Sequence, residues 1–182
     1  MGGLGVVVTE SKGGKTSDYQ LTLAVKSGKF SATRFYNQQL TENRVDFAGW
    51  VWDRLVIPKH RFVYWQLLNS LLLTRDKLVR IMPIHDIRCP VCELKEESHD
   101  HVLFDCLFAK HVINHIWSWL GQVTWPTSIS DLCDRCFLAR HDIQNRMINA
   151  VDAATFYLIW QNRNNCLFNL FCSSPRRISQ DV

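Results

Sequence analysis

The chain has 182 residues, of which 47% are hydrophobic and 21% are charged, and its formal net charge at pH 7 is +4. This length suits one domain with a sizeable core, and the composition excludes a disordered or fibrous protein. Its apolar stretches are too short and too polar to cross a bilayer, so we expect no membrane role.

Seven cysteines stand in the chain, and its start lacks the basic and long apolar segments of a secretory signal. An odd count without such a signal indicates a reducing compartment rather than a disulfide framework. We therefore expect an intracellular protein of the nucleus or the cytoplasm.

The predicted elements begin after a leader, residues 1–18, which is rich in glycine, lysine, serine and threonine and is expected to be flexible. The folded domain is placed at residues 19–170. Ser31 can cap a first helix that runs to about Leu40. Asp46 can cap a second helix, which ends near Val56 because a proline follows at position 58.

A third helix is predicted from Lys59 to Leu72. The residues expected on its core stripe are Phe62, Trp65, Leu68 and Leu72, with Val63, Leu67 and Leu71 beside them. Thr74 then caps a short helix that holds Leu78 and Ile81 and stops at Pro83. Aromatic residues at helical spacing are more typical of a core than of a platform for nucleic-acid bases.

The most informative pattern follows: Cys89 and Cys92 are separated by two residues, and His101 and Cys106 come after them. Thiolates and an imidazole at this compact spacing are the donors that Zn²⁺ takes in a tetrahedral site. Because four protein ligands leave no open position for water, the pattern predicts one structural zinc ion and no catalytic metal.

The spacing of the last two candidate ligands constrains the local backbone. In a regular helix His101 and Cys106 would lie about 500°, effectively 140°, apart around the axis. We therefore expect His101 near the first turn of a helix and a distortion or break before Cys106. Either Asp100 or Asp105 can accept a hydrogen bond from the second ring nitrogen of the histidine. His99 stays open as an alternative nitrogen ligand, since a loop can absorb two residues of slack.

Two other interpretations of the cysteines stay open. Free cysteines are often buried as small hydrophobic side chains. The Cys-Pro-Val-Cys run also resembles the dithiol of thiol–disulfide enzymes, but that chemistry needs a strand before the first cysteine and a helix after it, and no such pattern surrounds this segment.

A second pair, Cys133 and Cys136, repeats the two-residue spacing. The pair lies in an apolar helical pattern, which favours buried thiols over a second metal site or a replacement for half of the first site. No role is predicted for Cys166 or Cys172.

Three further helices are predicted after the metal segment. The first is a helix over Phe108–Leu120, which Gly121 terminates. The residues expected to face the core are Val112, His115, Ile116 and Trp119. Ile129–Phe137 comes next. The last predicted helix is Gln144–Asn164, with an apolar face made of Ile148, Val151, Thr155, Leu158 and Ile159.

Residues 171–182 are expected to form a flexible tail. The predicted fold class is mainly α: a small helical domain with an inserted structural zinc knuckle and a flexible N-terminal leader.

Separate blocks of the sequence resemble one family, in the same order. They are Gly28-Lys29-Phe30-Ser31, Trp52 with Pro58-Lys59 and Trp65, the four metal ligands with Glu97-Ser98, Trp117, and Ile159-Trp160-Gln161-Asn162-Arg163-Asn164 with Phe168. Together they resemble the zinc-binding domain that follows the reverse transcriptase in plant non-LTR (LINE-type) retrotransposon polyproteins. The resemblance covers about residues 20–170.

The resemblance implies that the chain binds RNA or DNA, and it suggests other retrotransposon-derived proteins as partners. The charge pattern agrees, because basic residues outnumber acidic ones between positions 54 and 88. The candidate phosphate contacts are Arg54, Lys59, Arg61, Arg75, Lys77, Arg80 and Arg88.

The sequence has no Asp-Asp pair of the kind that a polymerase uses to hold two metal ions. We therefore predict a non-catalytic module with no small-molecule substrate. The alternative is a protein-interaction module that uses an apolar helical groove, with the zinc ion purely structural.

Overall fold

The computed structural model describes residues 24–26, 28–32, 34, 47–121, 123–138 and 142–182. The predicted leader lies outside these residues, as does most of the predicted helix from Ser31 to Leu40. Within that predicted helix, the hydroxyl of Ser31 accepts a hydrogen bond from the backbone N–H of Arg34 at 3.4 Å. The chain divides into two compact units between residues 45 and 46, and each unit is described by itself.

The first unit contains a short antiparallel hairpin. Strand β1 (Val25–Lys26) pairs with strand β2 (Lys29–Phe30), so that Val25 lies opposite Phe30. The turn between the strands places Gly28 at a φ of 74°, a conformation that a residue with a Cβ atom rarely adopts.

The second unit is built from helices, which confirms the predicted class. In chain order these are α1 (Ala48–Val51), α2 (Pro58–Leu68), α3 (Arg75–Leu78), a π-helical turn (His101–Asp105), α4 (Leu107–Leu120), α5 (Ile129–Leu138), α6 (Ile143–Phe168) and α7 (Pro175–Asp181). None of the helices within the described residues is long and apolar enough to cross a membrane.

Helix α2 packs against α6, and the contact sets which of its faces is buried. Its side chains in the core are Val63, Tyr64, Leu67 and Leu68. Phe62, predicted for the core stripe, is 55% exposed and stacks on half-buried Trp65, with 6.3 Å between ring centroids. The helix ends at Leu68 rather than Leu72, because Ser70 takes a positive φ of 53°. The prediction of an apolar helix is confirmed, and Leu68 and Leu72 of the predicted stripe are buried, but Phe62 was placed on the wrong face.

Phe156 of α6 is fully buried, and its ring contacts three other aromatic rings of the core. Its ring lies 5.3 Å from the ring of Phe104 in the π-helical turn and 5.8 Å from that of Trp125. The ring of Tyr64 in α2 is 6.4 Å away, and the Tyr64 hydroxyl donates to the Asn149 side chain of α6 at 3.0 Å. One buried aromatic residue therefore joins the long helix, α2 and the segment that carries two of the candidate metal ligands.

Helix α4 ends at Gly121 as predicted, with a φ of 88° at the glycine. Val112 and Ile116 are buried, as expected. His115 and Trp119 instead face outward, and Trp119 is 55% exposed. The apolar pattern of this helix extends around more than one face, so periodicity alone assigned these two residues to the wrong side.

The C-terminal residues are folded, which corrects the expectation of a flexible tail from 171 to 182. Ser174 caps α7 by accepting a hydrogen bond from the backbone N–H of Arg177 at 3.3 Å. The side chain of Asn162 in α6 accepts a hydrogen bond from the backbone of Ser173 at 2.8 Å. Ile178 is 5% exposed and belongs to the core, which holds α7 in place.

Cys166 and Cys172, for which the sequence predicts no role, form a disulfide between the end of α6 and the segment before α7. This disulfide departs from the general expectation that the cysteines are reduced. The other described cysteines are free thiols, and three of them are candidate metal ligands.

We predict that Ile178→Ala lowers the free energy of unfolding by about 2 kcal/mol or more, because it removes buried apolar volume between α7 and the core. The control is Arg177→Ala, whose side chain is 68% exposed and should matter little. Urea unfolding followed by circular dichroism measures both. Equal midpoints for the two variants would show that α7 does not dock as described.

Candidate metal centre

The first two candidate ligands lie on a tight turn within a short hairpin. Arg88 and Glu96 form an antiparallel bridge across it, and the backbone N–H of Cys89 donates to the carbonyl of Lys95 at 2.8 Å. Glu93 takes a φ of 57° and donates its N–H to the carbonyl of Cys89 at 2.9 Å. The chain therefore reverses directly after Cys92.

The other two ligands are brought together by the π-helical turn, His101–Asp105. The N–H of Cys106 donates to the carbonyl of His101 at 2.6 Å, a bond that spans one residue more than in an α-helix. The backbone then becomes extended at Cys106, with a ψ of 134°, before α4 begins. This confirms the expected distortion: widening the turn by one residue removes the angular separation that an α-helix would impose.

The four predicted ligands meet in one cluster. The sulfur atoms of Cys89, Cys92 and Cys106 and a ring nitrogen of His101 all lie within 4.8 Å of one another. Zinc–sulfur bonds of about 2.3 Å imply donors about 3.8 Å apart, so small side-chain rotations would complete a tetrahedron. Three of the four residues are buried, and Cys92 is half-buried. Three thiols and an imidazole are a donor set that suits zinc.

The thiols of Cys89 and Cys106 interact with each other directly. The thiol of Cys106 hydrogen-bonds the sulfur of Cys89, and the backbone N–H groups of Cys92 and Val91 add to this, so the pKa of Cys89 falls to about 4. The same contact with Cys89, together with burial, raises the pKa of Cys106. The pocket therefore favours a thiolate at Cys89, which is the form that binds a metal.

The hydrogen bonding of the His101 ring differs from the prediction. His101 turns Nε2 toward the sulfur of Cys92, at 3.3 Å, and its buried Nδ1 has no hydrogen-bond partner among the described residues. Asp100 accepts a hydrogen bond from the backbone of Ile129 at 3.3 Å, and Asp105 pairs with Lys110 at 3.3 Å. Each carboxylate contacts another group, and neither accepts a hydrogen bond from the His101 ring.

His99, the alternative nitrogen ligand, lies outside the cluster. Its ring is buried and hydrogen-bonds the backbone of Leu72. Burial and the nearby charge of Lys77 lower the pKa of His99 to about 4, so the ring is neutral at pH 7. The geometry thus favours His101 as the nitrogen donor.

The second cysteine pair does not form a comparable site within the described residues. Cys136 is 5% exposed and lies 3.5 Å from the hydroxyl of Tyr64. Burial raises the pKa of both Cys133 and Cys136, which keeps them as thiols. As for the thiol–disulfide interpretation, Cys89 has 0% exposure, so an incoming disulfide could not reach it.

One contact beside the cluster was not predicted. Glu97, which lies between Cys92 and His101 in the chain, forms a two-bond ion pair with Arg163 of α6, at 2.6 and 2.8 Å. Their side chains are 0% and 2% exposed. Both residues belong to the blocks that carried the family resemblance, but nothing in the sequence pairs one with the other.

Four of the seven predicted phosphate contacts are engaged within the protein. Arg61 donates to the carbonyl of Val56 at 2.8 Å, and Lys77 donates to the carbonyl of Ser70. Each contact joins the cation to the backbone segment that precedes its own helix.

The other two engaged cations are Arg75 and Arg88, which meet at one hydrogen bond. Arg75 donates to the carbonyl oxygen of Arg88 at 2.6 Å, and Arg88 donates twice to Asp86, at 2.9 and 3.0 Å. The guanidinium of Arg88 holds the pKa of Asp86 down to about 2. Asp86 partly neutralises the charges of Arg75 and Arg88, which makes these two arginines weaker phosphate contacts.

The remaining three, Arg54, Lys59 and Arg80, are exposed. Lys59 lies over the ring of Tyr157, 5.1 Å from its centroid, which leaves its charge available to solvent. No side-chain partner of Arg54 or Arg80 lies among the described residues. Arg88 is exposed as well, but it is paired with Asp86, so these three are the exposed cations of the seven that no described carboxylate or carbonyl oxygen engages.

The helical unit and its buried cluster define a small α-helical protein with three cysteines and one histidine arranged to hold zinc. Residues 30–113, which include all four candidate ligands, match the family described as zinc-binding in reverse transcriptase. The match confirms the resemblance to a reverse transcriptase zinc-binding domain over that segment. No curated protein and no solved structure matches the chain.

We predict that Glu97→Gln lowers the free energy of unfolding by roughly 3–5 kcal/mol, because Arg163 would keep a buried charge without a counter-ion. The matched control is Asp86→Asn, which breaks the exposed pair with Arg88 and should change stability little. Denaturant unfolding measures both variants. Adding Arg163→Met to Glu97→Gln should recover part of the loss; equal, small effects of the two single variants would contradict the described contact.

Proposed function

We propose that the chain is a non-catalytic module that holds one structural zinc ion and binds RNA or DNA. The observation that carries the proposal is the Cys89, Cys92, His101 and Cys106 cluster, inside a segment that matches the family described as zinc-binding in reverse transcriptase. Four protein donors would fill a tetrahedral zinc ion and leave no position for a substrate or a reactive water. In this role the zinc ion contributes folding free energy.

The module would derive from the polyprotein of a plant LINE-type retrotransposon, as the order of its sequence blocks suggests. In such a setting its role is to help a polymerase hold its template, with other retrotransposon-derived proteins as further partners. We propose an intracellular location, nuclear or cytoplasmic, since the three cluster thiols bind zinc only while they are reduced.

Nucleic-acid binding is supported by the accessible cations and by the family description. Arg54, Lys59 and Arg80 are exposed. Cations of this kind attract phosphates without regard to sequence and release counter-ions when they bind. The other four cations act mainly within the fold, so a contact surface built on all seven is not what we propose.

A second candidate function has one specific observation in its favour. An open apolar groove of about 630 Å³ lies beside α3 and the end of α6, and its apolar lining includes Leu73, Leu78, Met82, Ile84, Leu167 and Phe168. Phe168 is 72% exposed. Exposed apolar grooves are typical of protein–protein contacts, so the groove supports the alternative of a protein-interaction module with a purely structural zinc ion.

We predict that zinc-loaded protein binds a fluorescein-labelled oligonucleotide and that its affinity falls steeply as salt rises from about 50 to 200 mM. The variant Arg54→Gln/Lys59→Gln/Arg80→Gln should bind more weakly, with the slope of log affinity against log salt reduced by about two to three. Fluorescence anisotropy gives both quantities.

The control for that experiment is Phe168→Ser, which alters the apolar groove without removing a charge. It should bind the oligonucleotide as the unaltered protein does. Folded, zinc-loaded protein that fails to bind at low salt would contradict nucleic-acid binding. Binding that does not depend on salt or on the three cations but is lost in Phe168→Ser would place the oligonucleotide in the apolar groove and contradict a contact through the three cations.

A further inference from the structure

An open pocket of about 610 Å³ lies between the C-terminal half of α4 and helix α7. The described side chains that line it include His115, Ser118, Trp119, Arg176, Ser179 and Gln180. This volume is within the range of small-ligand sites in proteins. None of these residues belongs to the metal cluster or to the seven cations considered above.

The two helices present this lining through regular spacing. His115, Ser118 and Trp119 stand three and four residues apart on α4, so they share one face. Arg176, Ser179 and Gln180 have the same spacing on α7. The two helices pack against each other, and Ile116 of α4 and Ile178 of α7 both belong to the core, at 0% and 5% exposure.

Two hydroxyl groups in the lining are oriented by the backbone. Ser118 donates to the carbonyl of His115 at 2.6 Å, and Ser179 donates to the carbonyl of Arg176 at 2.8 Å. Each hydroxyl has thereby used its hydrogen and keeps lone pairs that can accept from a ligand. The amide of Gln180, which is exposed, can both donate and accept.

Trp119 gives the pocket a large aromatic surface in contact with water. Trp119 is 55% exposed, although Val112 and Ile116 on the same helix are fully buried. An indole in this position offers a flat face on which a nucleobase can stack, and base–aromatic stacking is tolerant of sequence. Trp117, two residues earlier, is 41% exposed but does not line the pocket.

Arg176 supplies the positive charge of the pocket lining. It has no ion-pair partner among the described residues, whereas its neighbour Arg177 pairs with Asp181 at 3.3 Å. The described side chains that line the pocket include no acidic one. A free guanidinium beside an exposed indole suits a ligand that carries both a phosphate and an aromatic ring.

We propose that this pocket binds an unpaired nucleotide of a single-stranded nucleic acid, with the base stacked on Trp119 and its phosphate on Arg176. The proposal rests on the proposed nucleic-acid function and specifies its substrate as single-stranded. Bases inside a duplex have their faces covered by neighbouring bases, so a stacking platform favours an unpaired strand. An apolar peptide is a poorer match, because five of the seven described lining residues, all except Trp119 and Val182, carry polar side chains.

The test compares binding of labelled single-stranded oligouridine and of a duplex of equal length to zinc-loaded full chain. The unaltered protein should prefer the single strand. Trp119→Ala should weaken single-strand binding at least fivefold, while Trp117→Ala, an exposed tryptophan on the same helix, should leave it nearly unchanged. Arg176→Gln should weaken binding and lower the salt slope by about one, and Arg177→Gln, whose arginine is already paired, should not.

Helicity and zinc content are checked in each variant, and Trp119→Phe and Trp119→Leu decide the outcome if Trp119→Ala fails to fold. The phenylalanine variant keeps a stacking face and should bind more tightly than the leucine variant. Binding that resists the Trp119 and Arg176 changes but falls with Arg54, Lys59 and Arg80 overturns the pocket and keeps the proposed function. Absence of all nucleic-acid binding overturns both.

Discussion

The buried ion pair between Glu97 and Arg163 is the contact on which the arrangement of the metal loop depends. Besides its carboxylate, Glu97 contributes its N–H to the carbonyl of Ile87 at 2.9 Å and accepts from the N–H of Asp76 at 3.3 Å. Arg163 also lies over the ring of Trp160, 4.8 Å from its centroid. Burying two charges is costly, and here the paired geometry offsets that cost. The result is one defined position of the loop against the long helix.

The metal cluster and the ion pair restrain the same segment from two sides. Residues 93–96 between Cys92 and Glu97 are exposed and add little apolar burial of their own. The loop therefore relies on its two ends: thiolates and an imidazole gathered around one point, and Glu97 fixed to α6. The π-helical turn belongs to the same arrangement, because it aims His101 at the cluster while Phe104 packs on the core residue Phe156. Folding of the core and formation of the site are thus linked.

The sequence contains enough to predict that the four candidate ligands cluster and that the helix is distorted between His101 and Cys106, since donor chemistry and residue spacing are local properties. It does not determine which face of a helix meets the core when apolar residues surround it, which is why Trp119 was placed inward. Partners distant in sequence, such as Glu97 and Arg163, are specified only by the assembled fold. Helix α7 was missed for the same reason: its short, polar sequence is ordered by contacts with α4 and α6. Long-range contacts, rather than local propensity, account for these three differences.

The most direct test of this account is the zinc content of the purified protein, measured by elemental analysis together with helicity. The account predicts one zinc ion per chain, lost with part of the helicity in both His101→Ala and Cys106→Ala, and retained in Cys133→Ala. Absence of zinc from the unaltered protein would contradict the central claim. So would zinc that survives the His101 and Cys106 changes but is lost in Cys133→Ala.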